Sequence, residues 1–213
     1  MARLHLFEFE DLQWFPSTIR NYMTDFLQVV SNKFDFYKPI TPILKRGVDA
    51  SDYREIIDLA SGGGGGWIKL GEHIADEIPD VKVRLTDYYP NISEFNQTVK
   101  KRPELVSYEE ESVNALDVPK NLKGLRTEFL SFHHFKSGDA RQILQNAVDA
   151  NSPIAVFEAQ KRSGGDFIKF FLSPMNVLLI TPFIRLFKFG RILFIYLVPS
   201  FQFSFGGMVE YLF

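Results

Sequence analysis

An apolar run that ends in an acid and turns through glycine into a helix leaves a chain few folds to choose from. This sequence contains one: Ile56-Ile57-Asp58-Leu59-Ala60-Ser61, an unbroken tract Gly62 to Gly66, then Trp67, Ile68, Leu70 and Ile74 at helical spacing. Glycines admit positive φ and let a ligand approach the backbone, and the start of a helix offers N–H donors that its own carbonyls cannot satisfy. The segment predicts a buried strand, a tight turn and a helix. Two phosphate motifs fail here. The dinucleotide fingerprint starting at Gly62 requires glycine where Trp67 stands, and no Lys-Ser or Lys-Thr pair closes a Walker loop.

Downstream the pattern repeats. Val81, Val83 and Leu85 alternate with polar residues and end at Asp87; a short helix is expected over 93–101, and Leu105, Val106 and Tyr108 make a third strand. Residues 124–132 read as a fourth strand, 138–150 as a helix and Ile154-Ala155-Val156-Phe157 as a fifth strand. Strands alternating with helices imply an α/β, Rossmann-like, mostly parallel sheet with helices on both faces. The expected organisation is an N-terminal helical cap over 1–50, the sheet over 51–165 and an apolar, Phe-rich segment over 166–213, within one domain.

The cap is read from Ile19, Tyr22, Met23, Phe26, Leu27 and Val30, which recur at helical steps after Pro16, and from a second helix near 43–48. The last segment carries much of the chain's excess of 22 Phe and has no acid between Phe167 and Val209. Prolines and basic residues interrupt the apolar length a membrane span needs, so residues 167–209 are expected to form a lid, a sheet edge, a homodimer contact or a weak membrane-surface contact. With no cysteine, thiolate nucleophiles and cysteine-zinc sites are excluded. A net charge of -2 gives no global basic field, and nucleic acid is not an expected partner. The acidic start, Phe7-Glu8-Phe9-Glu10-Asp11, has no signal-peptide core, so a cytoplasmic protein is expected.

Asp87 stands roughly 20 residues beyond the glycine loop, where nucleotide-binding sheets place an acid for two ribose hydroxyls. Before Tyr88-Tyr89-Pro90 it reads equally as a turn residue or helix cap. The ordered series Asp58-Leu59-Ala60-Ser61-Gly62-Gly63-Gly64, Asp87, Glu111 to Pro119, Phe132-His133-His134-Phe135 and Glu158 resembles the class I S-adenosylmethionine-dependent methyltransferases over roughly 54–160. Ala60 stands where the first motif has its first glycine. Phe7 to Asp11, Trp14-Phe15-Pro16 and Arg20 to Phe26 resemble the cap of an uncharacterised bacterial branch.

The resemblance implies S-adenosylmethionine as cofactor and S-adenosylhomocysteine as product. Asp58 would orient the turn and the methionine amino group, while Ala60, Ser61, Gly62 and Gly64 would admit the methionine part and ribose. Asp87 with Tyr88 would hold the ribose, Ser112 and Val113 the adenine, and Ser131 the sheet edge near the sulfonium. Tyr22 would close the cap. Methyl transfer needs alignment and exclusion of water, and a base only if the acceptor must lose a proton. His133, His134 and Glu158 are the candidates. Adjacent histidines ordinarily point apart, and no third ligand sits at familiar spacing, so no metal is expected. Phe-rich surfaces suggest a small apolar acceptor. The chain departs from the family after residue 160, where no sixth strand, helix and antiparallel seventh strand are evident. A catalytically silent relative that binds a partner or membrane through its C-terminal segment is therefore the alternative. A nicotinamide-dependent oxidoreductase shares the acid after strand two but lacks the third fingerprint glycine.

Overall fold

In the computed structural model the chain divides into two compact units, and the described residues, 28, 31–64 and 66–158, all fall in the one spanning Leu27–Glu158. The expectations for Tyr22, for most of the first cap helix and for residues 167–209 lie outside the described residues.

Five strands form one parallel sheet: β1 (Glu55–Leu59), β2 (Lys82–Leu85), β3 (Val106–Tyr108), β4 (Leu125–Phe129) and β5 (Ile154–Phe157), in the order β3-β2-β1-β4-β5. β1 lies at the centre, with Asp58 opposite Leu85 of β2 and Thr127 of β4. Four helices are described: α1 (Thr41–Asp49), α2 (Trp67–Glu77), α3 (Ile92–Lys101) and α4 (Ser137–Asp149). The strands are shorter than the apolar pattern suggested. Residues 130–132, expected within β4, turn away after Phe129, and Leu130 takes φ +53°.

Successive residues of a strand face opposite sides, and β1 is apolar on both. Ile56 packs with Leu44 and Val48 of α1, Trp67, Leu70 and Ile74 of α2, and Phe95 of α3. Ile57 and Leu59 face the other way, against Ile143 of α4 and Val113, Ala115, Val118 and Leu122 of the β3–β4 connection. Right-handed crossovers explain the division. Leaving β1 toward β2 and β3 puts α2 and α3 on one face, and leaving β4 toward β5 in the opposite direction puts α4 on the other.

The direction of winding reverses between β1 and β4. In open parallel sheets the carboxyl ends of strands at such a reversal leave a crevice that ligands use. Asp58, the glycine loop, Asp87, Glu128 and Glu158 all lie at these carboxyl ends. Among the described residues no helix is long and apolar enough to cross a membrane.

Candidate functional site

The loop after β1 is stitched to the end of β2 by backbone bonds. Ser61 N donates to Thr86 O at 2.9 Å, and Thr86 N donates to Asp58 O at 2.9 Å. Ala60, Gly62 and Gly64 all take positive φ, at 51°, 57° and 85°. The left-handed bend is thus kept at Ala60, against the steric preference of a residue with a Cβ. Gly64 is confined as well as bent, since a Cβ there would lie 2.7 Å from Thr98 Oγ1 of α3.

Asp58 is the buried anchor of this turn. Its Oδ2 accepts from Ser61 Oγ at 2.8 Å and Trp67 Nε1 at 2.7 Å, and its Oδ1 accepts from Thr127 Oγ1 at 2.9 Å. One carboxylate therefore ties together β1, the loop, the first residue of α2 and β4. Burial pushes its pKa up to about 7 and the nearby Asp87 adds to this, against the three hydrogen bonds, which favour the charged form.

Asp87 sits half-buried past the end of β2. Oδ2 accepts from Gly62 N and Oδ1 from Tyr89 N, both at 2.7 Å, which orients the carboxylate toward the glycine loop. Its carbonyl accepts from Val113 N at 2.9 Å, and Ser112 Oγ donates to Tyr88 O at 2.7 Å. Asp87, Tyr88, Ser112 and Val113, remote in sequence, thus form one connected rim beside Gly62. Val113 is buried, while Ser112 and Tyr88 are exposed.

Along the same carboxyl edge, on the β4 side, a 3-10 turn, Phe132–His134, follows β4. Glu158 holds it from the end of β5: Oε1 accepts from His133 N at 3.1 Å, and Oε2 lies 2.9 Å from His133 Nδ1. A carboxylate can only accept, so this contact places a proton on Nδ1 and makes Nε2 the basic nitrogen. Burial would raise the Glu158 carboxyl, but bonding to His133 and to the Phe132 backbone outweighs it and holds the group below its ordinary value. The two histidine rings do not point apart as expected. The turn stacks them with centroids 4.3 Å apart and planes 30° from parallel.

Ser131, also buried, donates to Glu128 Oε2 at 3.3 Å. Glu128 is fully buried, and burial, with Asp58 and Glu158 nearby, pushes its pKa up to about 7 despite the Ser131 bond. Tyr37 was absent from the sequence candidates. Its ring lies over Gly66, where a Cβ would come within 2.2 Å of it, and meets Phe129 edge-on at 4.9 Å. Burial first, then Asp58 and Glu158, push its phenol up to about 12, which puts it in the electrostatic reach of both acids. Gln28 bonds Gly63 O and Thr98 Oγ1, and Asn32 Oδ1 accepts from Lys69 N at 2.7 Å. The residues that fasten the start of this unit to the loop are therefore Gln28, Asn32 and Tyr37.

An open parallel sheet wound in two directions, with helices on both faces and its polar side chains gathered at the strands' carboxyl ends, belongs to the Rossmann-like α/β class. Among solved structures the chain is similar to the plantazolicin methyltransferase BamL, a structure in complex with a triazolic desmethylPZN analog and SAH. The similarity is 15% identity and a TM-score of 0.31, over 63% of this chain and 42% of that one. The chain therefore spans well under two thirds of the length of that structure. No protein-family model matches the sequence. No curated protein matches it either.

Proposed function

We propose that this chain is an S-adenosylmethionine-dependent methyltransferase, with the cofactor held at the carboxyl ends of β1, β2 and β4. The observation that carries the reading is the connected rim: Asp87 oriented by Gly62 N, with Val113 bonded to its carbonyl and Ser112 to that of Tyr88. A carboxylate fixed there suits two vicinal ribose hydroxyls, since each oxygen can accept more than one hydrogen bond. Val113 offers an apolar contact for adenine, with Tyr88 and Ser112 at its edge. Ala60, Ser61, Gly62 and Gly64 shape the adjoining turn for the methionine part. Asp58 serves this site by holding the turn in place, because both its oxygens already accept bonds from Ser61, Trp67 and Thr127.

The cofactor supplies an activated methyl group on a sulfonium, so the protein's own task is alignment and exclusion of water. His133, steered through Nδ1 by Glu158 and stacked on His134, is the side chain built to take a proton from an acceptor. Ser131 lies between this pair and Glu128.

The test is calorimetric titration of the full chain with S-adenosylmethionine and S-adenosylhomocysteine, with NAD as control. Binding of the adenosyl thioether and sulfonium alone, weakened about 10- to 100-fold in a folded Asp87→Ala variant, is the expected result. No heat and no thermal shift with either would reject the reading.

A further inference from the structure

The least settled group in the described unit is Glu128. Its side chain is fully buried at the carboxyl end of β4, beside the reversal point of the sheet, yet Oε1 has no hydrogen-bond partner among the described residues. Oε2 has only the long contact from Ser131. A buried charge left unpaired is costly, and natural structures rarely keep one without a use. The charges around it make matters worse, since Asp58 and Glu158 both act on it as like charges. Among the described basic side chains, His133 is paired with Glu158. Arg126, two residues earlier on the same face of β4, sends Nη1 to Asn146 Oδ1 at 2.7 Å and forms no ion pair with Glu128 among the described residues. Nor do three His, Asp or Glu side chains converge there as metal ligands would, among the described residues.

We infer that Glu128 receives a protonated amine, and that the methyl acceptor is therefore a basic nitrogen rather than an apolar carbon or oxygen compound; this rests on the methyltransferase reading above. An ammonium supplies both what Oε1 lacks, an N–H donor, and what the acidic cluster lacks, a positive charge. In the transfer the ammonium gives one proton to the base, His133 Nε2. The freed lone pair then bonds the methyl carbon as the carbon–sulfur bond breaks and sulfur keeps its electron pair. The positive charge thus moves from sulfur to nitrogen, and the carboxyl groups of Glu128 and Glu158 are placed to favour it there.

Three cofactor-site probes test this without knowledge of the acceptor: S-adenosylhomocysteine, neutral at sulfur; S-adenosylmethionine, positive at sulfur; and sinefungin, which carries an amino group on the carbon replacing sulfur. Sinefungin should bind the wild type about tenfold or more tighter than S-adenosylhomocysteine, as a charged hydrogen bond implies, with S-adenosylmethionine close to the latter. In Glu128→Gln the preference for sinefungin should collapse while S-adenosylhomocysteine affinity is kept. Glu128→Met, of similar length and without polar atoms, serves if the Gln variant does not fold. Equal binding of sinefungin and S-adenosylhomocysteine, or a preference that survives loss of Glu128, would overturn the inference and leave the methyltransferase reading intact. A preference shared by S-adenosylmethionine would assign the cluster to the sulfonium and overturn the amine acceptor. Failure of all three probes to bind would overturn the methyltransferase reading itself.

Discussion

Replacing Thr127 with valine isolates the bond that holds the central acid. Thr127 is fully buried, and its Oγ1 donates to Asp58 Oδ1 at 2.9 Å, the contact that ties β4 to β1 through side chains. Valine keeps the β-branched shape and strand preference, so little cavity or propensity cost accompanies the change. What is lost is a buried hydrogen bond, and its worth depends on the charge of the acceptor. With the Asp58 pKa near 7, the carboxyl is largely neutral at pH 5, and the loss should cost about 1 kcal/mol. At pH 8.5 it is a carboxylate, and a buried charge short of one donor should cost about 2–3 kcal/mol. The variant also makes ionisation harder, so the Asp58 pKa should rise further. The assay is urea denaturation of both proteins at the two pH values, read as a midpoint shift at constant slope. In melting temperature the alkaline penalty corresponds to roughly 4–12 °C for a chain of this size. A cost below about 0.5 kcal/mol at both pH values, or one larger at pH 5, would refute the reasoning.

Further outcomes follow from the same geometry. Because Ala60 sits at φ +51°, Ala60→Gly should relieve about 1–2 kcal/mol of strain against about 0.4–1 of added unfolded-state entropy. The net gain is between zero and about 1.6 kcal/mol, and a lower urea midpoint for the variant would show that the position carries no strain. Gly64→Ala meets both φ +85° and Thr98 Oγ1 at 2.7 Å, so it should destabilise by about 2 kcal/mol or more; a neutral effect on melting would mean that the loop yields freely. For Glu128 the folded pKa of about 7 lies above its ordinary 4.5. The folded state therefore binds a proton that the unfolded chain releases, and this group's contribution to stability is full below about pH 4 and falls as pH rises to about 7. Glu128→Gln should gain stability relative to wild type between pH 5 and pH 8, and a difference independent of pH in paired melts would contradict the burial argument.

Periodicity along the chain determines what depends on near neighbours. Alternation and apolar runs located the five described strands; in β1 the run Ile56-Ile57 is apolar on successive residues because both faces of the strand are covered. Helical spacing located α2 and α4, and the glycine tract located the turn, since positive φ at Gly62 and Gly64 is a local demand. The ends of elements were less legible. β4 stops at Phe129, where Leu130 turns to φ +53° while its N–H still bonds Phe157 O of β5, a partner that no local pattern reveals.

The same division runs through the site. The place of Asp87 at the end of a strand was open to reading from spacing, and the order of motifs from a resemblance. Which side chains meet was not. Trp67, Ser61 and Thr127 bring their donors to Asp58 from the helix, the loop and the neighbouring strand, and the pairing of His133 with Glu158 follows from the adjacency of β4 and β5. Nothing local in the sequence marks Glu128 as buried. Only the packing of both sheet faces buried it, surrounded it with other acids and left one of its oxygens without a partner among the described residues. Local sequence sets backbone conformation and which residues are apolar, whereas desolvation and the company a charge keeps are properties of the folded arrangement.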